Sequence, residues 1–172
     1  MRYRKPRTLE LGSYSSGTMR PEDLIPAFLD IAESLRLCRD DRRCVQRIRR
    51  IERMSTGTYG ECSHGYLDAD DAAEDLETLF DLLNNYVPDY CYFGAHPGDG
   101  ADYGVWVVEE LLTPGSPQGG YDGLVYRCTE DFEQPGPHVP KSYTHFLSVT
   151  DHGNCTLYRR AGRRWIEVWS IV

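Results

Sequence analysis

The chain has 172 residues, with 19 Lys and Arg against 27 Asp and Glu and a formal net charge of −8. This length favours one domain over several, and a hydrophobic content of 40% excludes wholesale disorder. The basic N-terminus lacks the apolar run of a signal peptide, and no segment reaches the roughly 18 apolar residues of a membrane span, so the sequence predicts a soluble cytoplasmic protein.

Residues 1–20 show no clean hydrophobic period and are rich in serine and glycine, which predicts an irregular or partly ordered arm. Asp23 is a suitable N-cap, and apolar residues recur at helical spacing up to Leu35, so the first helix is predicted to begin after Asp23. A second helix is predicted from Asp40 to about Met54, with its arginines facing solvent. Because the sequence pI of about 5.1 is acidic, we interpret this basic helix as a buttress and not as a nucleic-acid-binding element.

The clearest helical pattern runs from about Asp68 to Tyr86. Five apolar residues share one face of this predicted helix, namely Ala72, Leu76, Leu79, Phe80 and Leu83. Seven acidic residues are left for solvent, namely Asp68, Asp70, Asp71, Glu74, Asp75, Glu77 and Asp81. Acidic residues in the first turn also suit the positive end of the helix dipole.

After this helix the hydrophobic period changes to two, which predicts strands. Residues 90–93 and 103–108 are predicted as strands joined by a glycine-rich loop over 94–102, and residues 124–128 as a short strand. The C-terminal segments 145–150, 155–160 and 164–171 are predicted to form a three-stranded antiparallel meander.

Helices that precede strands along the chain are typical of the α+β class. The sequence therefore predicts a single α+β domain over residues 1–172, in which N-terminal helices pack on one face of a mainly antiparallel sheet. The sequence does not indicate an oligomeric state.

Charge is strongly segregated along the chain. The 73 residues between Arg53 and Arg127 contain no lysine or arginine and hold 14 acidic residues, whereas residues 1–53 hold 13 basic against 8 acidic residues. Such segregation produces a lasting negative field over part of the surface, which bears on the choice of partner.

Carboxylates along one face of a helix can imitate the phosphate row of DNA and occupy a basic, nucleic-acid-binding groove of another protein. The seven acidic residues of the helix over 68–86 are the predicted partner-binding residues, with Asp89, Glu109 and Glu110 expected nearby. The competing interpretation is a solvated helix face that only keeps the protein soluble. Exposed ion pairs with the arginines would each contribute only about 0–1 kcal/mol, so they need not cancel the negative field of the acidic residues.

The glycine-rich segment over 94–102 suggests an alternative to the partner-binding function. His96, Asp99 and Asp102 could converge on a metal ion, with His145 or His152 added, as in a small metal-dependent hydrolase; the segment could also bind a small ligand. The competing interpretation is a hairpin loop in which Asp and Gly serve the turn geometry.

The six cysteines are expected to be free thiols in a reducing cytosol. A zinc site built on Cys38, Cys44, Cys62 and His64 is disfavoured because no CxxC pair is present. Cys91 is a conceivable nucleophile, but its place in a Tyr-Cys-Tyr strand is more typical of a small buried residue.

Three stretches carry a resemblance to known proteins, namely GTMRPEDLIPAFLD from Gly17, YCYFGAHPGDGADYGVW from Tyr90 and DHGNCTLY from Asp151. Together they resemble a group of small uncharacterised proteins carried by bacterial phages, plasmids and other mobile elements. The resemblance implies a protein that binds and inhibits a host protein, an anti-defence inhibitor of anti-CRISPR or antirestriction type. No catalytic residue can be carried over from this group, because none is established for it. We expect no cofactor and no direct binding to nucleic acid or membrane.

Overall fold

A computed structural model of the chain describes residues 8–35, 42–56, 70–112, 124–128 and 134–172. Its helices are α1 (Pro21–Ser34), α2 (Arg42–Thr56), α3 (Asp70–Asn84) and the short α4 (Glu109–Leu112). Its strands are β1 (Gly12–Ser15), β2 (Cys91–His96), β3 (Asp99–Val107), β4 (Val125–Cys128), β5 (His145–Val149), β6 (Cys155–Ala161) and β7 (Arg164–Ile171). Three long helices that precede most of the strands confirm the predicted α+β class.

The chain forms two compact units. The first comprises Met1–Val87 and Tyr92–Trp106, and the second comprises Pro88–Cys91 and Val107–Val172. The interpretation of residues 1–172 as one domain stays a prediction. Within the described residues, no helix has the length and apolar character needed to cross a bilayer.

The first unit packs α1 and α3 with a three-stranded sheet of order β1-β3-β2. Phe28 of α1 is fully buried, and its ring makes edge contacts with Phe80 of α3, Phe93 of β2 and Tyr103 of β3, with centroids 5.1–6.0 Å apart. Such edge-to-face contacts add to the free energy gained by burial. An aromatic cluster therefore joins the helices to the sheet.

Helix α1 begins earlier than the sequence predicts. Its N-cap is Arg20 and Pro21 occupies the first helical position, where a missing N–H costs little. The Asp23 carboxylate instead accepts a hydrogen bond from the Thr18 hydroxyl at 2.7 Å. The predicted start after Asp23 is wrong, because Pro21 already has the φ angle of a first helical residue and the Asp23 side chain bonds to Thr18 instead of acting as the N-cap.

The glycine-rich segment is a tight hairpin and not the predicted loop over 94–102. Strand β2 runs to His96 and β3 begins at Asp99, so that only two residues form the turn. Gly104 permits β1 to approach, because a Cβ at this position would lie 2.2 Å from the Gly12 carbonyl oxygen. Strand β1 thus forms within the predicted arm, pairing antiparallel with β3. Gly104 thus serves close strand approach, whereas a Cβ at Gly100 would have nothing within 4 Å.

The second unit holds a four-stranded sheet of order β4-β5-β6-β7. Strands β5, β6 and β7 form the predicted antiparallel meander, whereas β4 pairs parallel with β5. The core of this unit includes the buried side chains of Phe146, Leu157 and Trp169. Gly153 and Gly162 have positive φ angles of 83° and 64°, as their places in the two meander turns require.

Candidate protein-interaction site

Helix α3 carries a narrow stripe of exposed carboxylates. The stripe comprises Asp70, Glu74, Glu77 and Asp81, all exposed, and no described residue forms an ion pair with any of them. At about 100° per residue the four lie within an arc of roughly 60°, and at 1.5 Å per residue they span about 16 Å. We call these four residues the acidic stripe. Asp71 is also exposed and lies beside it, about 60° beyond the nearest of the four.

The opposite side of α3 anchors the helix to the core. Ala72, Leu79 and Leu83 are buried there. The Asn84 side chain donates to the Phe93 carbonyl oxygen at 2.9 Å and accepts from the Phe93 N–H at 2.9 Å, which attaches the end of α3 to β2. The stripe therefore stands on a helix whose orientation is fixed by both apolar packing and hydrogen bonds.

Asp75 does not belong to the exposed face on which the sequence placed it. Its side chain is only 3% exposed, and its Oδ1 accepts a hydrogen bond from Arg50 Nη1 at 3.1 Å. Arg50 lies on α2, so this contact joins the two helices. Asp75 is a structural residue, and the spacing from Ala72 to Leu79, which passes through Asp75, is the signal that places it on the buried side.

The structure therefore places the predicted binding residues in three groups. Asp70, Asp71, Glu74, Glu77 and Asp81 are exposed on α3, Asp75 is buried, and Asp68 lies outside the described residues. Glu109 and Glu110 are exposed on α4.

A groove of about 270 Å³ lies between α2 and α3. Its apolar lining includes Ile48 and Ile51 of α2 and Leu79 and Leu82 of α3. The remaining lining residues are Arg43, Cys44, Arg47, Thr78, Asp81 and Asn85. The groove thus runs beside the acidic stripe and has arginines on its α2 side.

The predicted alternative site occupies the β2–β3 hairpin. His96 Nδ1 accepts from the Gly98 N–H at 3.0 Å, and its ring packs edge-on against Trp106. Asp99 accepts from the Ala101 N–H at 3.0 Å, and Asp102 accepts from the Ser13 hydroxyl, which lies on β1. Each side chain therefore serves hairpin or strand geometry. In the described part of the chain, no group of three or more His, Cys, Asp or Glu residues could hold a metal ion.

A second polar cluster surrounds Asp89 in the second unit. Asp89 Oδ2 accepts from His145 Nε2 at 3.2 Å and lies 3.5 Å from Arg159 Nη1. The hydrogen bond from His145 lowers the pKa of Asp89, burial opposes this, and the charge of Arg159 lowers the pKa further. The Asp89 carbonyl oxygen accepts from the Trp169 indole N–H at 2.9 Å. Asp89 thus contacts three strand residues, and because they are distant along the chain, their spacing in the sequence does not predict these contacts.

The Asp89 cluster continues to a hydroxyl group. His145 Nδ1 lies 2.9 Å from the Thr144 hydroxyl. A hydroxyl, an imidazole and a carboxylate are therefore linked in one hydrogen-bonded row. Acyl transfer also needs N–H donors for the developing oxyanion. The N–H groups of Thr144 and His145 both donate to the Leu124 carbonyl oxygen, at 2.9 and 3.0 Å, so these two donors do not serve an oxyanion. The arrangement fits a structural contact better than a nucleophile. The other candidate histidine, His152, is exposed in the turn between β5 and β6.

The cysteines differ from one another. Burial raises the pKa of the Cys91 thiol to about 12, and the charge of Asp89 adds to the effect. A thiol that stays protonated is a poor nucleophile, which argues against the catalytic interpretation of Cys91. Cys91 and Cys155 are free, as expected, but Cys44 is disulfide-bonded, so the expectation of a free thiol is wrong at this position. The conceivable zinc set contains Cys38, Cys62 and His64, which lie outside the described residues.

Comparisons with protein-family models, with curated proteins and with solved structures found no match.

Proposed function

We propose that this protein binds a basic, nucleic-acid-binding surface of a host protein through the acidic stripe of α3 and thereby inhibits that protein. The observation that carries the proposal is the exposure of four carboxylates in one narrow stripe on a helix whose opposite side is buried. The resemblance to proteins of mobile elements suggests a partner from a defence system of CRISPR or restriction type, in the bacterial cytoplasm.

The spacing of the stripe supports recognition by a phosphate-binding surface. Its carboxylates follow one another about every 5.5 Å along the helix axis, at 1.5 Å per residue. One strand of DNA carries a phosphate about every 3.4 Å along its axis. The stripe is therefore sparser than DNA, but its charge has the same sign and its support is rigid, so little conformational entropy is lost on binding.

Inhibition would follow from competition. A surface that binds nucleic acid through Lys and Arg releases counterions when the phosphates dock, and carboxylates on the same site would exclude the phosphates. Association would be fast at low salt because complementary fields steer the encounter, and it would weaken as salt rises.

Affinity capture from bacterial lysate tests this function. The immobilised protein is compared with the double variant Glu74→Arg, Glu77→Arg, and bound proteins are eluted with increasing salt and identified by mass spectrometry. We expect the wild-type protein to retain a basic nucleic-acid-binding protein that elutes as salt rises and that the variant does not retain.

The control variant is Asp151→Arg, Glu167→Arg, in which two exposed residues of the second unit are changed. It alters the net charge as much as the first variant does, and it should retain the same protein. Equal retention by all three proteins would contradict a role for the acidic stripe.

A further inference from the structure

The α2 side of the groove between α2 and α3 has charged residues at its edge and apolar residues beneath them. Arg43 and Arg47 line the groove one helical turn apart, and both are exposed. Ile48 is half-buried there and Ile51 is fully buried. Because exposure falls from the arginines to the isoleucines, the guanidinium groups form the rim of the groove and the isoleucines form its floor.

The α3 side of the groove repeats this arrangement. Asp81 and Asn85 are exposed, whereas Leu82 is half-buried and Leu79 is fully buried. Both helices therefore contribute to an apolar floor beneath a polar rim. Cys44 also lines the groove, and because it is disulfide-bonded it presents no free thiol.

The rim of the groove carries one net positive charge. Among the described residues that line the groove, two arginines stand against a single carboxylate, that of Asp81. Within the described ranges, neither Arg47 nor Asp81 forms an ion pair, so their charges do not neutralise each other across the groove. A guanidinium group binds a carboxylate through charge-assisted hydrogen bonds. One net positive charge above an apolar floor suits an apolar monoanion better than a polyanion.

We propose that the groove binds a small carboxylic acid with an unbranched apolar chain. The carboxylate binds at Arg43 and Arg47, and the chain lies on the floor. The volume of about 270 Å³ is at the lower end for small-molecule sites, so the ligand is small. The lining residues of α2 extend over about 12 Å, at 1.5 Å per residue. An extended chain of about eight carbons, with bonds of about 1.5 Å, spans about 9 Å and fits this length. This inference goes beyond the proposed inhibitor function and stands without it.

Octanoate, the carboxylate with a chain of this length, is the probe for the groove. Two-dimensional NMR of protein labelled at its isoleucine and leucine methyl groups reports on the floor directly, with no reductant present so that the disulfide of Cys44 is kept. A ligand of about ten non-hydrogen atoms that binds with ordinary efficiency has a Kd of about 1 mM. We expect octanoate to shift the methyl signals of Ile48 and Leu82 saturably in this range.

Ile166 is the internal reference for non-specific binding to apolar surface. It is an exposed isoleucine of β7 in the second unit and does not line the groove. Its methyl signals should not move as octanoate is added.

Octanol and inorganic phosphate separate the two parts of the ligand. Octanol has the chain without the charge, and its Kd should be at least about tenfold higher than that of octanoate, because the hydrogen bonds to a charged group are lost. Phosphate has the charge without the chain, and it should leave the methyl signals of the floor unchanged.

Two variants of α2 test the position of the carboxylate. Arg47→Gln removes a charge from the rim, and Arg49→Gln removes the same charge from the other side of the helix. At about 100° per residue, Arg49 lies about 160° from Ile51 and faces away from the groove. Arg47→Gln should raise the Kd of octanoate about tenfold, whereas Arg49→Gln should leave it unchanged. The methyl spectrum of each variant also establishes that it is folded.

The absence of a saturable shift up to about 10 mM octanoate, tenfold above the expected Kd, would overturn the proposal. Equal affinities for octanoate and octanol would overturn it too, as would equal affinities of the two variants or a shift of Ile166 as large as those of the floor residues. Because no host protein is present in these measurements, their failure leaves the inhibitor function to be judged by capture alone.

Discussion

The guanidinium group of Arg50 donates to the carboxylate of Asp75 over 3.1 Å and ties α2 to α3. Arg50 is half exposed, at 53%, whereas Asp75 is almost fully buried. A buried carboxylate needs such a partner, because an unpaired charge in the core is costly. The contact thus holds α3 in the orientation that presents the acidic stripe.

Replacement of Asp75 by asparagine should therefore destabilise the protein more than replacement of its neighbour Glu74 by glutamine. We expect Asp75→Asn to lower the free energy of unfolding by about 1–3 kcal/mol, the usual cost of a disrupted buried hydrogen bond to a charged group. Glu74→Gln changes an exposed residue and should stay within about 0.5 kcal/mol. Urea denaturation followed by circular dichroism measures both, and equal effects would argue against a structural role for Asp75.

The close approach of β1 to β3 leads to a second prediction, which concerns Gly104. An alanine there would place its Cβ 2.2 Å from the Gly12 carbonyl oxygen, so β1 must move or separate from the sheet. We expect Gly104→Ala to lower the free energy of unfolding by about 1–3 kcal/mol, as overpacked positions do.

Gly100→Ala is the control, because a Cβ at Gly100 would have nothing within 4 Å. Limited proteolysis adds a local measurement, since a displaced β1 should be cut earlier around residues 12–15. Equal stability of the two alanine variants would show that β1 does not pair as described.

The Asp89 cluster predicts how stability depends on pH. The pKa of Asp89 in the folded protein lies below its ordinary value, first because of the hydrogen bond from His145. The carboxylate therefore stabilises the folded state above the unfolded pKa of about 4, and this contribution is lost as the pH falls through the folded pKa.

We expect Asp89→Asn to be less stable than the wild-type protein at pH 6 and the difference to shrink between about pH 4 and pH 2. Denaturant titrations at several pH values give the free energies of unfolding. Asp151→Asn, at an exposed turn residue, should show no comparable difference at pH 6. If the difference in stability between Asp89→Asn and the wild-type protein stays constant down to pH 2, the inferred lowering of the Asp89 pKa is contradicted.

The raised pKa of Cys91 predicts slow alkylation. At pH 8 a thiol with a pKa of about 12 has almost no reactive thiolate, whereas the unfolded chain has the ordinary cysteine pKa. Iodoacetamide should therefore modify Cys91 much more slowly in the native protein than in concentrated urea, as measured by peptide mass spectrometry. Rapid native modification would restore Cys91 as a candidate nucleophile.

Much of the fold was accessible from the sequence because it depends on local patterns. The apolar spacing of α3 and the alternation of β5, β6 and β7 predicted those elements, and the structure confirms them. The sequence does not predict the tight hairpin at 97–98, because glycine in a strand cannot be told from glycine in a loop until the partner strand is known. The parallel pairing of β4 with β5 likewise depends on a contact between distant residues.

The candidate site was predicted in part. Acidic residues between apolar positions predict the exposed face of α3, but the sequence also places Asp75 on that face, because its partner Arg50 is 25 residues away. The charges alone could not distinguish a binding surface from a solvated one. Because Asp75 is buried, it does not belong to the predicted binding surface of α3, and the acidic stripe remains exposed there.

Competition with DNA tests the central claim most directly. The protein retained in the capture experiment is bound to a fluorescent DNA duplex, and release of the duplex is followed by anisotropy as this protein is added. The account predicts that the wild-type protein and Asp151→Arg, Glu167→Arg displace the duplex, whereas Glu74→Arg, Glu77→Arg does not. A stable complex that holds the duplex and the wild-type protein together would contradict it.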